Sequence, residues 1–152
     1  MSNITVWKET GLFSYDELCT MFDIQANNNY KSWLICGAGA STAAAELSMH
    51  NAEVVAVDDM YQQSPEQLAD FFLEKKQQLG EDVPPYYQGS LSAERWRQIM
   101  EDRMSIFQQD YLEKAGESYV SSWDDVKKPS SFFDMTLCYT GLSLLNDMED
   151  LY

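Results

Sequence analysis

The stretch Leu34 to Tyr61, "LICGAGASTAAAELSMHNAEVVAVDDMY", runs from an apolar segment into a glycine turn, on through small residues, and into a second apolar segment ending on two aspartates. "WLIC" reads as a short strand entering the turn at Gly37, the alanine-rich "ASTAAAELSMH" as a helix, and "AEVVAVDD" as a second strand ending at Asp58. Strand, glycine turn, helix and strand make a βαβ unit. Such crossovers are almost always right-handed, so the two strands are expected to be parallel neighbours.

Outward from this nucleus, "SYDELCTMFDIQ" opens with Ser14 and places Glu17 three residues later, with Leu18, Met21 and Phe22 at helical spacing. That capping-box pattern predicts an early helix, within a helical segment over residues 1–30. "SPEQLADFFLEKKQQLG" has Ser64 as cap, Pro65 in the first turn and Gly80 as stop. "SAERWRQIMEDRMSIFQQDYLEKAG" carries Trp96, Ile99, Met100, Met104, Phe107, Tyr111 and Leu112 as apolar positions of a long helix ended by Gly116. Two helices are thus expected between strands two and three, within residues 62–116. "SYVSSW" predicts a third strand, "DDVKKPSS" a turn-rich crossover, and "FFDMTLCYTGL" a fourth strand leading into the start of a terminal helix. The expected fold is a single α/β domain over 1–152, Rossmann-like and doubly wound. Its mostly parallel sheet has about four strands in the order 3-2-1-4, with helices on both faces.

A chain of 152 residues has room for one domain with a respectable core, and 45% hydrophobic and 13% aromatic residues mark it as globular despite a net charge of −15. That charge belongs on a solvated surface, which repels nucleic-acid phosphates and anionic lipid headgroups; no basic patch offsets it, so neither nucleic acid nor membrane is expected as a partner. Cys19, Cys36 and Cys138 are far apart and form no cluster with His50, the only histidine, so neither a structural metal site nor a disulfide framework is expected. Cys36 and Cys138 lie inside apolar runs and read as small buried hydrophobes. The opening "MSNITVWKET" lacks a secretory pattern, and a cytoplasmic protein is expected.

Gly37 and Gly39, with Ala38 and Ala40, let main chain approach a ligand closely, and the helix beyond the turn offers free N–H groups. Asp58 follows Gly37 by 21 residues, about the gap at which a carboxylate ending the next strand accepts hydrogen bonds from ribose hydroxyls. The pattern therefore points to a nucleoside-containing ligand. Dinucleotides favour glycine at the sixth position counting Gly37 as the first, and here that residue is Thr42; no Gly-Lys-Ser/Thr run offers a triphosphate cradle either. The bland alternative is a tight strand-to-helix turn beside a solvated Asp58.

Through "CGAGASTAAAEL", "VVAVDDMYQQSPEQL", "RMSIFQQDYLEKAGESYVSS" and "FFDMTLCYTGLSLLNDMEDLY", the chain resembles class I S-adenosylmethionine-dependent methyltransferases, and in particular a group of bacterial methyltransferase-like proteins, over about Trp33 to Tyr152. The resemblance implies S-adenosylmethionine as cofactor, with Gly37, Ala38 and Gly39 against its methionine moiety and ribose and Asp58 as the ribose-binding acid. It implies Asp59 and Met60 flanking the adenine, Ser122 and Trp123 at its far edge, and Cys138 and Tyr139 facing the methyl group. Tyr139 stands in the catalytic position. Met60, Trp123 and Tyr139 also read as ordinary core or rim residues.

The chain departs from the family twice. Ile35 stands where an acid commonly holds the cofactor's amino end, and the sequence stops at Tyr152, soon after strand four. A homodimer or a partner chain is expected to cover the edge of that strand. The implied activity is methyl transfer to a small-molecule acceptor, which depends mostly on alignment. The rival is a non-catalytic binding or regulatory protein that engages a partner through its acidic surface or sheet edge. His50 reads as a helix-end residue, "VPPYYQ" as a rigid loop, and Asp124, Asp125, Glu149 and Asp150 as a solvated face.

Overall fold

The computed structural model describes residues 3–139. The terminal helix start expected after strand four lies outside them. The chain forms α1 (Asn3–Thr10), α2 (Tyr15–Met21), β1 (Ser32–Cys36), α3 (Ala43–Met49), β2 (Glu53–Val57), α4 (Pro65–Gln77), α5 (Ala93–Lys114), β3 (Tyr119–Val120) and β4 (Met135–Cys138). The four strands make one parallel sheet in the order β3-β2-β1-β4. This is the α/β, Rossmann-like arrangement read from the sequence, and α4 and α5 both fall between β2 and β3.

The local signals explain most of these boundaries. Ser14 and Ser64 each close a full capping box, with Glu17 and Gln67 returning a side-chain hydrogen bond to the cap N–H. Along α5, Trp96, Met100, Met104, Phe107 and Tyr111 recur every three or four residues, and all five are buried. Leu112 is exposed instead, because it lies off that stripe. Helix α1 carries no comparable pattern: "NITVWKET" is rich in β-branched residues that do not favour a helix. Its helical state follows from packing, with Val6 and Trp7 buried and the Trp7 ring edge-on to Phe13 and Trp96. Strand β3 shrinks to two residues because Ser122 leaves the sheet to cap a 3-10 turn, Trp123–Asp125, accepting a hydrogen bond from the Asp124 N–H.

Side chains alternate across the sheet, so each strand serves two clusters. Trp33, Ile35, Val54, Ala56, Tyr119 and Leu137 face the main core, to which all five helices contribute. Leu34, Cys36, Val57 and Val120 face a smaller cluster, with Val55, Val126 and Phe133 packed against it. The chirality of crossovers accounts for this division. The steps from β1 to β2 and from β2 to β3 move the same way along the sheet and so carry α3, α4 and α5 on one face, while the return from β3 to β4 must pass over the other. That return spans 121–134. Where helices were expected on both faces, the described part of this link is built from two 3-10 turns, Trp123–Asp125 and Ser130–Phe132.

Candidate functional site

Strand β1 ends at Cys36, and the Gly37 N–H extends the ladder by donating to the Val57 carbonyl at 2.7 Å. Gly37 and Gly39 then take φ of +74° and +54°, which turns the chain sharply away from the sheet. Asp58 stands at the matching end of β2. Its Oδ2 accepts from the Gly39 N–H at 2.8 Å and its Oδ1 from the Met60 N–H at 2.9 Å, so one carboxylate binds the glycine turn to the 3-10 turn Asp59–Gln62. The Tyr61 hydroxyl donates to the Gly39 carbonyl at 2.7 Å. The carboxylate lies at the glycine turn, as the 21-residue spacing predicts, but it already holds protein main chain there.

The N–H groups expected to await a ligand at the start of the helix are also engaged. The Ala40 N–H donates to the Thr10 carbonyl at 2.8 Å, and the Phe13 carbonyl accepts from the Thr42 N–H at 3.1 Å and the Ser41 hydroxyl at 2.7 Å. A Cβ on Gly39 would stand 2.7 Å from the Thr10 carbonyl oxygen. The close approach that Gly39 permits is therefore that of the chain's own turn from Thr10 to Phe13. This corrects the expectation of free donors at the glycine turn: a main-chain carbonyl delivered by the N-terminal helices meets the same donors a ligand would.

A buried ionic network fixes that cover. Glu17 on α2 accepts from Arg103 Nη1 at 2.7 Å, Trp7 Nε1 at 3.2 Å and the Ser14 N–H at 3.0 Å, and also from the Tyr87 hydroxyl. Arg103 Nη1 donates in turn to the Leu12 carbonyl at 2.9 Å. Burial and the Glu17 charge both push the Tyr87 hydroxyl up, so it stays protonated as a donor. One guanidinium on α5 thus holds both α2 and the loop that lies on the glycine turn.

Beside this closed turn is an open hollow of about 350 Å³ at the C-terminal ends of the first three strands. Gly37, Asp58, Asp59, Ser122 and Trp123 line it, which brings together five of the residues expected at the site from three separate strand ends. Cys36, Val57 and Ser121 complete the lining and were not anticipated. They follow directly from strand alternation, because Cys36 and Val57 face the same side of the sheet. Larger hollows of about 460 and 640 Å³ flank α3, but neither includes the strand ends where ligands of open α/β sheets bind.

The other expected residues lie elsewhere. Ala38 is buried beneath the Gly11 turn, and Met60 packs against the main core. Tyr139 is buried on the helix-covered face, its ring tilted against Phe13 and Phe22 and its hydroxyl beside Ser41. Burial raises its pKa, with the nearby Asp58 carboxylate adding to the shift. Cys138 is exposed, contrary to its reading as a buried hydrophobe, while Cys36 is buried. The Cys36 thiol is pushed up to about 12 by burial and by Cys138 beside it. Among the described residues no group of three or more histidine, cysteine or acidic side chains is placed to hold a metal ion, and no helix is long and apolar enough to cross a membrane. No protein-family model, curated protein sequence or solved structure matches the chain significantly.

Proposed function

We propose that this chain is a methyltransferase-like protein that binds S-adenosylmethionine in the hollow at the ends of β1, β2 and β3, and transfers its methyl group to a small-molecule acceptor in the cytoplasm. One observation carries the reading: Gly37 and Asp58, expected from their spacing, and Asp59, Ser122 and Trp123, implied by the resemblance, all line one hollow. Its volume falls within the range of about 300–1,000 Å³ usual for small-ligand sites. Asp58 supplies acceptors for ribose hydroxyls on one wall, since a carboxylate oxygen holding one main-chain N–H keeps a second acceptor direction, and Asp59 lies beside it to flank the adenine. Trp123 offers an exposed ring for an adenine face, and Gly37 leaves the floor without a side chain.

The test uses Trp123 as its own reporter. Trp7, Trp33 and Trp96 are buried and Trp123 is 56% exposed, so a base stacking in the hollow quenches chiefly one indole. Titration with S-adenosylmethionine or its demethylated product is expected to give saturable quenching. Trp123→Ala is expected to weaken binding measured by calorimetry roughly tenfold, in line with one lost base stack. No heat and no quenching at millimolar ligand would remove the proposal.

A second reading is favoured by the engagement of Asp58, Gly39 and the α3 donors with the chain's own main chain: a binding protein that keeps this sheet as a scaffold. In it, a second copy or a partner chain pairs with β4, which has β1 as its neighbour in the described sheet. Light scattering at rising concentration separates the readings, because a monomer that binds S-adenosylmethionine supports the first, and a dimer that binds none supports the second.

A further inference from the structure

We infer that Cys36 and Cys138 are a thiol pair that exchanges with low-molecular-weight disulfides such as oxidised glutathione and closes to a disulfide joining β1 to β4. The two residues stand directly opposite one another in the parallel β1–β4 register. Neighbouring strands lie about 4.8 Å apart, which falls inside the Cα separation of about 4.4–6.8 Å that a disulfide spans. Residues opposite in register project from the same face of the sheet, and here the two side chains interact directly.

The burial difference assigns the two roles. Cys138 is exposed and Cys36 buried, so an external disulfide meets Cys138 first. The Cys138 thiolate attacks one sulfur of oxidised glutathione; that S–S bond breaks, one glutathione leaves as thiol, and Cys138 carries the other as a mixed disulfide. Cys36 then loses its proton to solvent and attacks the Cys138 sulfur. A bond forms between the two cysteines as the second glutathione leaves. Two protein thiols and one oxidised glutathione become one protein disulfide and two reduced glutathiones, so the protein is oxidised by two electrons and the reagent reduced by two. Capping Cys138 also removes one of the influences that hold the Cys36 proton, which favours the second step. Cys19, on α2, has no cysteine opposite it in any strand register and provides the internal control.

The proposal does not rest on the identity of any ligand, but Cys36 lines the hollow, so oxidation is measured on the chain without added S-adenosylmethionine. Incubating the folded full chain with oxidised glutathione and measuring intact mass is expected to show loss of two hydrogens, and peptide mapping to link Cys36 with Cys138. Cys36→Ser is expected to retain one stable glutathione on Cys138, Cys138→Ser to gain neither modification, and Cys19→Ser to behave as the parent. A parent chain that keeps glutathione on Cys138 without closing, that links Cys19, or that stays reduced would overturn the assignment. Differential alkylation of the unsubstituted chain before and after oxidation reads the same outcome without relying on any variant to fold.

Discussion

Gly39 shows how one residue's reading changes when its neighbours are known. Its spacing marks it as a place of close approach, and it is one, but the approaching atom is the Thr10 carbonyl. Gly39→Ala is therefore expected to destabilise the fold by about 2–3 kcal/mol in urea unfolding, combining a left-handed φ with a main-chain clash. Gly116→Ala, at φ +85° with open space around it, should cost about 1 kcal/mol. Equal losses at the two positions would show that the Thr10 contact contributes nothing. Asp58→Asn should cost about 1–3 kcal/mol, because an amide turns one of two engaged acceptors into a donor facing an N–H. The position of this carboxylate at the strand end is legible from its 21-residue spacing. Which groups engage the rest of the glycine turn is not, since the Thr10 carbonyl that accepts from the Ala40 N–H and the Tyr61 hydroxyl that donates to the Gly39 carbonyl come from elements with no sequence pattern tying them to the turn.

At the level of elements, the Glu17–Arg103 pair joins α2 to α5 with little exposure of either side chain. Removing one member of such a buried pair leaves an uncompensated charge, so Arg103→Met is expected to lose about 3–5 kcal/mol. Adding Glu17→Gln to that variant should cost less than the sum of the single changes, which a double-mutant cycle in urea would measure. Additive losses would mean that the two groups do not act as a unit. The caps of α2 and α4 and the stripe of α5 are local, short-range signals, and they are readable in the chain. A helical segment over 1–30 was expected, but no local pattern marks α1 as a separate helix within it, because Val6 and Trp7 become a helix face only against Phe13 and Trp96.

For the molecule as a whole, alkaline conditions test the buried acids. Tyr15 and Cys36 are both raised to about 12, chiefly by burial, from ordinary values of 10.0 and 9.0. The folded state holds these protons more tightly than the unfolded chain. The resulting stability is complete below about pH 9 and is lost as pH rises toward 12. Urea midpoints are expected to fall across that window, and Cys36→Ser should flatten the part of the slope between the thiol's ordinary value and about 12. A flat profile in the parent would contradict the assigned burial. The charge of −15 acts over the same scale: added salt should raise stability at neutral pH by screening self-repulsion.

The sequence by itself determined the parallel βαβ nucleus and the place of Gly37 and Asp58 at its strand ends, because strand alternation, capping and crossover handedness act over short spans of chain; the strand order 3-2-1-4 was also expected. Tertiary structure alone decided what fills the glycine turn. A donor at the start of a helix accepts a ligand oxygen or a distant carbonyl equally well, and here the turn from Thr10 to Phe13, held by Arg103, supplies the carbonyl. Gly37, Asp58 and Trp123 line an open hollow beside that turn, and it is there that we propose a ligand binds.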